Sequence, residues 1–185
     1  ISLDGGFTCP NRDGTCGTRG CLFCSAGGSG DFAENAALSI TEQIEKGKAQ
    51  TAGKWKNPAY IAYFQAFTNT YAPVEELRQK YEEALACPEI EGLSIATRAD
   101  CLPADVLALL AELNKKTNLW VELGLQTADT RSAAFIRRGY PLSTFTDALS
   151  RLRARKLDTI VHVILGLPGE DREKMLETVR YLAKQ

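Results

Sequence analysis

At 185 residues, with 44% hydrophobic and 24% charged side chains, the chain has the composition of a soluble globular protein with one sizeable core, so residues 1–185 read as a single domain. A net charge of -1 and a pI near 6.0 give no electrostatic argument for nucleic acid or for an anionic membrane. No apolar run approaches the ~18 residues of a membrane span and no charged-then-apolar leader opens the chain, so a soluble, cytoplasmic protein is expected; the start at Ile1 leads us to expect a fragment of a longer one.

Ile1 to Leu3 reads as the end of a strand that feeds CPNRDGTCGTRGCLFC, Cys9 to Cys24, where four of the six cysteines sit in a glycine-rich loop. Thiolates gathered on a flexible backbone bind zinc or an iron–sulfur cluster. Cys21 and Cys24 are close enough in sequence to reach one metal centre, and Gly14, Gly17 and Gly20 are expected to bring Cys9 back by accepting positive φ. Disulfides are disfavoured, because disulfide-dense scaffolds are usually shorter and Cys87 and Cys101 stand isolated.

After SAGGSGDF, Ser39-Ile40-Thr41 opens a helix to about Ala52, with Thr41 as its expected cap and Gly47 as a weak point. Tyr60 to Phe64 follows as an aromatic and β-branched strand. Pro73 begins the helix VEELRQKYEEALA, whose Val74, Leu77, Tyr81 and Leu85 recur at helical spacing behind an acidic first turn. The pattern then repeats. Gly92 to Ala96 leads to a helix from Ala104 to about Thr117, Leu119 to Leu125 leads to a short helix and then one from Leu142 to about Lys156, and Thr159 to Leu165 leads to a helix from Asp171 to the end.

Strands alternating with helices of this length predict right-handed βαβ crossovers and a parallel sheet, and the near-continuous apolar strands predict burial on both faces. A doubly wound sheet and part of a barrel both satisfy the pattern. In either fold the strand exits share one edge. Here those exits carry the cysteines, Gln65-Thr68-Asn69-Thr70, Thr97-Arg98-Asp100, Glu122-Gln126-Thr127-Asp129 and Gly166-Gly169-Glu170, so a site is expected where they converge.

Within this set each residue has a structural and a functional reading. Four thiolates suit structural zinc, in a zinc-binding α/β interaction module; three suit a [4Fe–4S] cluster with one iron left free. Arg98 either pairs with Asp100 or binds a carboxylate bidentately. Glu122 and Gln126 share a strand face, and an inward carboxylate is costly unless paired, which points to a ribose or amino-group contact. His162, the single histidine, is either a core residue or, if Ile160, His162 and Ile164 face inward, a catalytic candidate. The basic run Arg151 to Lys156 falls on an outer helix and reads as a solvated face before an RNA contact.

Taken in order, CPNRDG, GCLFC, GSGDF, YFQAFTNTY, TRADCL, ELGLQT, RRGY and HVILGLPGE resemble the radical S-adenosylmethionine (SAM) proteins, in the YhcC/YtqA-type branch related to the Elongator catalytic subunit. The resemblance covers essentially the whole chain. It implies a partial (β/α)6 TIM-like barrel, truncated after about five βα units, and a [4Fe–4S] cluster on Cys9, Cys21 and Cys24 whose free iron takes SAM. It further implies reductive cleavage of SAM to a 5′-deoxyadenosyl radical, and hence a reductant such as flavodoxin or ferredoxin. Phe23 is then the aromatic beside the adenine, Gln65 a SAM contact, Arg98, Glu122 and Gln126 further SAM contacts, and Ile164 with Gly166 the segment whose backbone meets the adenine. Four departures stand out: Cys16 occupies a position usually not cysteine, Ala99 and Tyr140 replace a common proline and histidine, and no GGE-like stretch follows Phe64. Kinship with the Elongator subunit raises tRNA as a substrate, which neither the charge nor any recognisable RNA module supports.

Overall fold

Five strands lie side by side in chain order: β1 (Ser2–Leu3), β2 (Tyr60–Phe64), β3 (Ile90–Arg98), β4 (Asn118–Gln126) and β5 (Asp158–Val163). The computed structural model, which describes residues 1–185, makes every neighbouring pair parallel. Each crossover therefore advances one strand in the same direction, which is how a barrel wall is wound; a doubly wound sheet reverses direction at a switch point. β1 and β5 are the edges and do not pair with each other.

Six helices connect the strands: α1 (Ile40–Thr51), α2 (Val74–Ala86), α3 (Ala104–Leu113), α4 (Thr130–Phe135), α5 (Leu142–Ala154) and α6 (Arg172–Ala183). The core lies between them and one sheet face, where Phe64, Leu93, Ile95, Val121 and Leu123 meet Leu77, Tyr81, Leu107, Leu110 and Phe145. Burying each such side chain stabilises the fold by roughly 1.5–3 kcal/mol. The expected burial on both faces holds along the middle of β3, where Gly92 to Ile95 are all buried, and fails in β4. In β4 the buried Leu119, Val121, Leu123 and Leu125 alternate with half-buried Trp120, Glu122, Gly124 and Gln126, because helices cover one face and the other lines a cavity.

Local chemistry explains where the element boundaries differ from expectation. Ser39, not Thr41, caps α1: its hydroxyl accepts from the Glu42 amide at 3.1 Å while Glu42 accepts from the Ser39 amide at 2.8 Å, a reciprocal capping box. Thr41 instead donates through its amide and hydroxyl to Glu83 and ties α1 to α2. Gly47 sits where a Cβ would come within 2.4 Å of Ile1, so the start of β1 requires the missing side chain. α3 stops at Leu113, short of Thr117, because Asn114 caps it and the Thr117 hydroxyl turns to the Glu91 carbonyl at the entry to β4. β5 ends at Val163, short of Leu165, where an irregularity between Gly124 and Gln126 shifts its register against β4.

Candidate functional site

A cavity of about 300 Å³ opens at the C-terminal ends of the strands, with the cysteine loop on one side. No helix or strand forms between Asp4 and Ser39, so this loop keeps its shape through turns and polar ties. Gly14 and Gly20 take positive φ (98° and 67°), and the Gly20 amide closes back on the Asn11 carbonyl at 2.8 Å; Gly17, expected to do the same, has an ordinary φ. Arg12 donates to the carbonyls of Ser25 and Ala26 and stacks over Phe67, fastening the two glycine-rich stretches together. Asn11, 4% exposed, donates to the Cys21 sulfur at 3.1 Å and to the Arg137 and Arg138 carbonyls at 2.6 and 3.3 Å. No local sequence pattern marks Asn11 or Arg12 for these roles.

Cys9, Cys21 and Cys24 line the cavity, whereas Cys16 is exposed in a separate shallow pocket beside Arg19 and Arg137. All six cysteines are free; Cys87 and Cys101 are buried. Burial pushes the Cys21 thiol up, against the Asn11 hydrogen bond and the nearby Arg98 charge, which favour the thiolate. No three His, Cys, Asp or Glu side chains stand close enough to hold a single metal ion. Cys9, Cys21 and Cys24 open into one cavity, an arrangement open to a shared zinc ion or to a four-iron cluster in which each thiolate binds a different iron. The donor set, three free thiols lining one cavity, fits such a cluster.

The expected SAM contacts mostly share this cavity. Phe23, Gln65, Arg98, Glu122, Gln126 and Ile164 all line it. Gly166 does not: it lies beyond the rim with φ at 80°, and its amide meets the Met175 sulfur. Phe23 is 37% exposed beside Cys24. The Gln65 amide oxygen accepts from Ser2 at 2.8 Å. Just beyond it, Thr68 lines the cavity with its buried hydroxyl unpartnered, and the Asn69 side-chain oxygen is buried and unpartnered too, so this exit carries polar capacity that the protein leaves unused.

Arg98 is committed to Asp100 through two parallel hydrogen bonds of 2.9 and 2.7 Å, the ion-pair reading of the sequence. Its guanidinium also lies 5.1 Å from the ring centre of Tyr140, and that of Arg138 lies 4.9 Å from the same ring. Burial pushes the Tyr140 phenol up to about 12, and its hydroxyl donates to the Gly124 carbonyl at 2.5 Å. Tyr140 is therefore a wedge in the wall. Glu170 accepts from Thr127, and Arg151 donates to the Leu102 carbonyl while Arg153, Arg155 and Lys156 face outward, so the basic run stays on the outer surface.

Glu122 is the most connected side chain of the wall. It accepts from Tyr63 at 2.8 Å, from Ser94, and from His162 Nε2 at 2.7 Å. Burial opposes its ionisation, but the donors from His162, Ser94 and Tyr63 outweigh burial and hold the carboxyl at about 2. The same contact raises the His162 pKa against burial, and burial together with Glu122 raises that of Tyr63. His162 is no core residue. Like Ile160 it faces the lumen, with its side chain 48% exposed.

No helix is long and apolar enough to cross a membrane. The family model for the Radical SAM superfamily matches residues 13–182. The chain is 52% identical to YtqA of Bacillus subtilis over 183 residues, 99% of this chain and 57% of that protein. It is 41% identical to YhcC of Escherichia coli over 180 residues, 97% of this chain and 57% of that protein. The chain thus spans little more than half the length of these relatives. Among solved structures, archaeal Elp3 of Methanocaldococcus infernus superposes with a TM-score of 0.60 at 17% identity, covering 76% of this chain and 36% of that one. Coproporphyrinogen III oxidase of Escherichia coli, a radical SAM enzyme, superposes with a TM-score of 0.55 at 18% identity, covering 67% and 29%. These two likenesses show the fold: a parallel wall of the TIM-like kind.

Proposed function

The chain belongs to the radical SAM superfamily, and we propose that it is the core of an enzyme in which a [4Fe–4S] cluster and SAM generate a 5′-deoxyadenosyl radical. Three thiols that open into one cavity, with the fourth turned away, carry this reading. Cys9, Cys21 and Cys24 would hold the cluster, which when bound and reduced supplies the electron that cleaves SAM to methionine and the radical. The protein positions and shields. Asn11 fixes Cys21 and favours its thiolate. Thr68, with its unpartnered hydroxyl, and Gln65 stand where polar groups of SAM would be met, while Phe23 and Ile164 offer apolar surface to an adenine. Gln126 adds an amide at the mouth. Arg98 is held by Asp100 and acts through its charge on the thiols instead of clasping a carboxylate.

Reduction requires a low-potential partner of the flavodoxin or ferredoxin kind. In the full-length protein a sixth βα unit would extend the wall beyond this core domain. The test is anaerobic reconstitution with iron and sulfide, followed by 5′-deoxyadenosine formation from SAM under dithionite. Folded protein that takes up zinc but no iron and forms no 5′-deoxyadenosine overturns the reading and favours the zinc-binding module.

A further inference from the structure

The lumen-facing positions of β2, β3, β4 and β5 converge on one carboxylate. Tyr63 and Ser94 are register partners on neighbouring strands, as are Gly124 and His162, and Glu122 reaches from between them to take a hydrogen bond from each of Tyr63, Ser94 and His162. Both of its oxygens are thereby engaged by the protein: one by Ser94, the other by Tyr63 and His162. Glu122 is thus poorly placed to serve as the ribose or amino-group contact first expected of it. The unused valence of the cluster lies elsewhere. His162 gives Nε2 to Glu122, while Nδ1 has no partner on a ring that is half exposed and lines the cavity. The arginines at the same cavity are already directed to protein groups: Arg98 to Asp100, Arg12 and Arg138 to backbone carbonyls.

We propose that Glu122 is a positioning residue that holds His162 as a cationic hydrogen-bond donor, through Nδ1–H, to an anionic oxygen of the substrate, a carboxylate or a phosphate. Tyr63 and Ser94 fix the carboxylate from the opposite side, so the ring is held by strand register and not by a loop. A neighbouring carboxylate favours the doubly protonated ring, the form in which both nitrogens donate. The inference rests on the radical reading only for the identity of what fills the lumen.

The test uses the full-length protein with isotope-labelled histidine, and the ring signals missing from His162→Gln identify the residue. The expected result is a ring protonated on both nitrogens at neutral pH, neutral in Glu122→Gln. Acetate or inorganic phosphate should shift the wild-type Nδ1 signal saturably, with affinity about tenfold or more weaker in Glu122→Gln. A response to acetate alone or to phosphate alone supports the proposal and fixes the source of the oxygen. A wild-type ring that is neutral at neutral pH, or an Nδ1 signal unmoved by both anions, overturns it; these wild-type measurements decide even if Glu122→Gln fails to fold. The same sample is assayed for 5′-deoxyadenosine. Protein that forms it but fails the histidine measurements loses this inference alone, whereas protein that does not form it loses the radical reading, which the histidine signals do not address.

Discussion

The cysteine loop and the Tyr63–Glu122–His162 wall face the same cavity and are built by opposite means. The wall inherits its geometry from strand register, with polar groups on one face and Leu93, Ile95, Val121 and Leu123 buried behind them. The loop has no ladder beneath it; its thiols are held by Asn11, Arg12 and two glycines in the left-handed region. Losing one polar side chain therefore means different things in the two regions. In the wall the backbone remains supported by the core, whereas in the loop a few side-chain ties are the support.

The sharpest break of this comparison is at the thiols. Cys9→Ala, Cys21→Ala and Cys24→Ala should each abolish the visible absorption of the reconstituted cluster, and Cys16→Ala should keep it; a colourless Cys16→Ala protein would show that the loop uses a different trio. Next in size is the wall attacked from behind. Leu123→Ala, at a fully buried site, should cost about 2–5 kcal/mol in urea unfolding. Asn11→Ala should cost about 1–3 kcal/mol, because two backbone carbonyls lose a buried donor. It should also release iron faster under chelator than Leu123→Ala does, and equal rates would erase the distinction between loop and wall.

The smallest effect is the pH dependence of the Glu122–His162 pair. His162 is raised above its ordinary 6.5, so its contribution is fully present below that value and is lost as pH rises through the folded pKa. Glu122 is depressed from 4.5 to about 2, so its contribution is present above 4.5 and lost as pH falls towards 2. Both act together between 4.5 and 6.5. The melting-temperature difference between wild type and Glu122→Gln should be widest in that window and shrink on either side; a difference independent of pH would mean that the pair is not ionic.

What could be read in advance follows the same division. Cysteines announce their chemistry by residue type, and five apolar runs separated by helical periods announced the parallel strands with only their ends misplaced. The lumenal parity of His162 was legible because Ile160, His162 and Ile164 alternate, and β4 alternates in plain view in LWVELGLQ. Ser39 and Glu42 spell a capping box that outranks Thr41. Tyr63 and Ser94 were not legible as partners of Glu122, since nothing in YIAYF or GLSIA records which residues will lie opposite across two strand pairings. Asn11 was hidden for a related reason: its carbonyl partners Arg137 and Arg138 lie at the far side of the sequence, and no local pattern connects them.

The sequential strand order leaves β5 with one flank of unpaired amides and carbonyls, beside exposed Ile160, Leu165 and Val179. Such a flank is a template on which another extended segment can lay itself down. For these 185 residues alone, self-association that grows with concentration is the expected outcome, checked by light scattering across a dilution series.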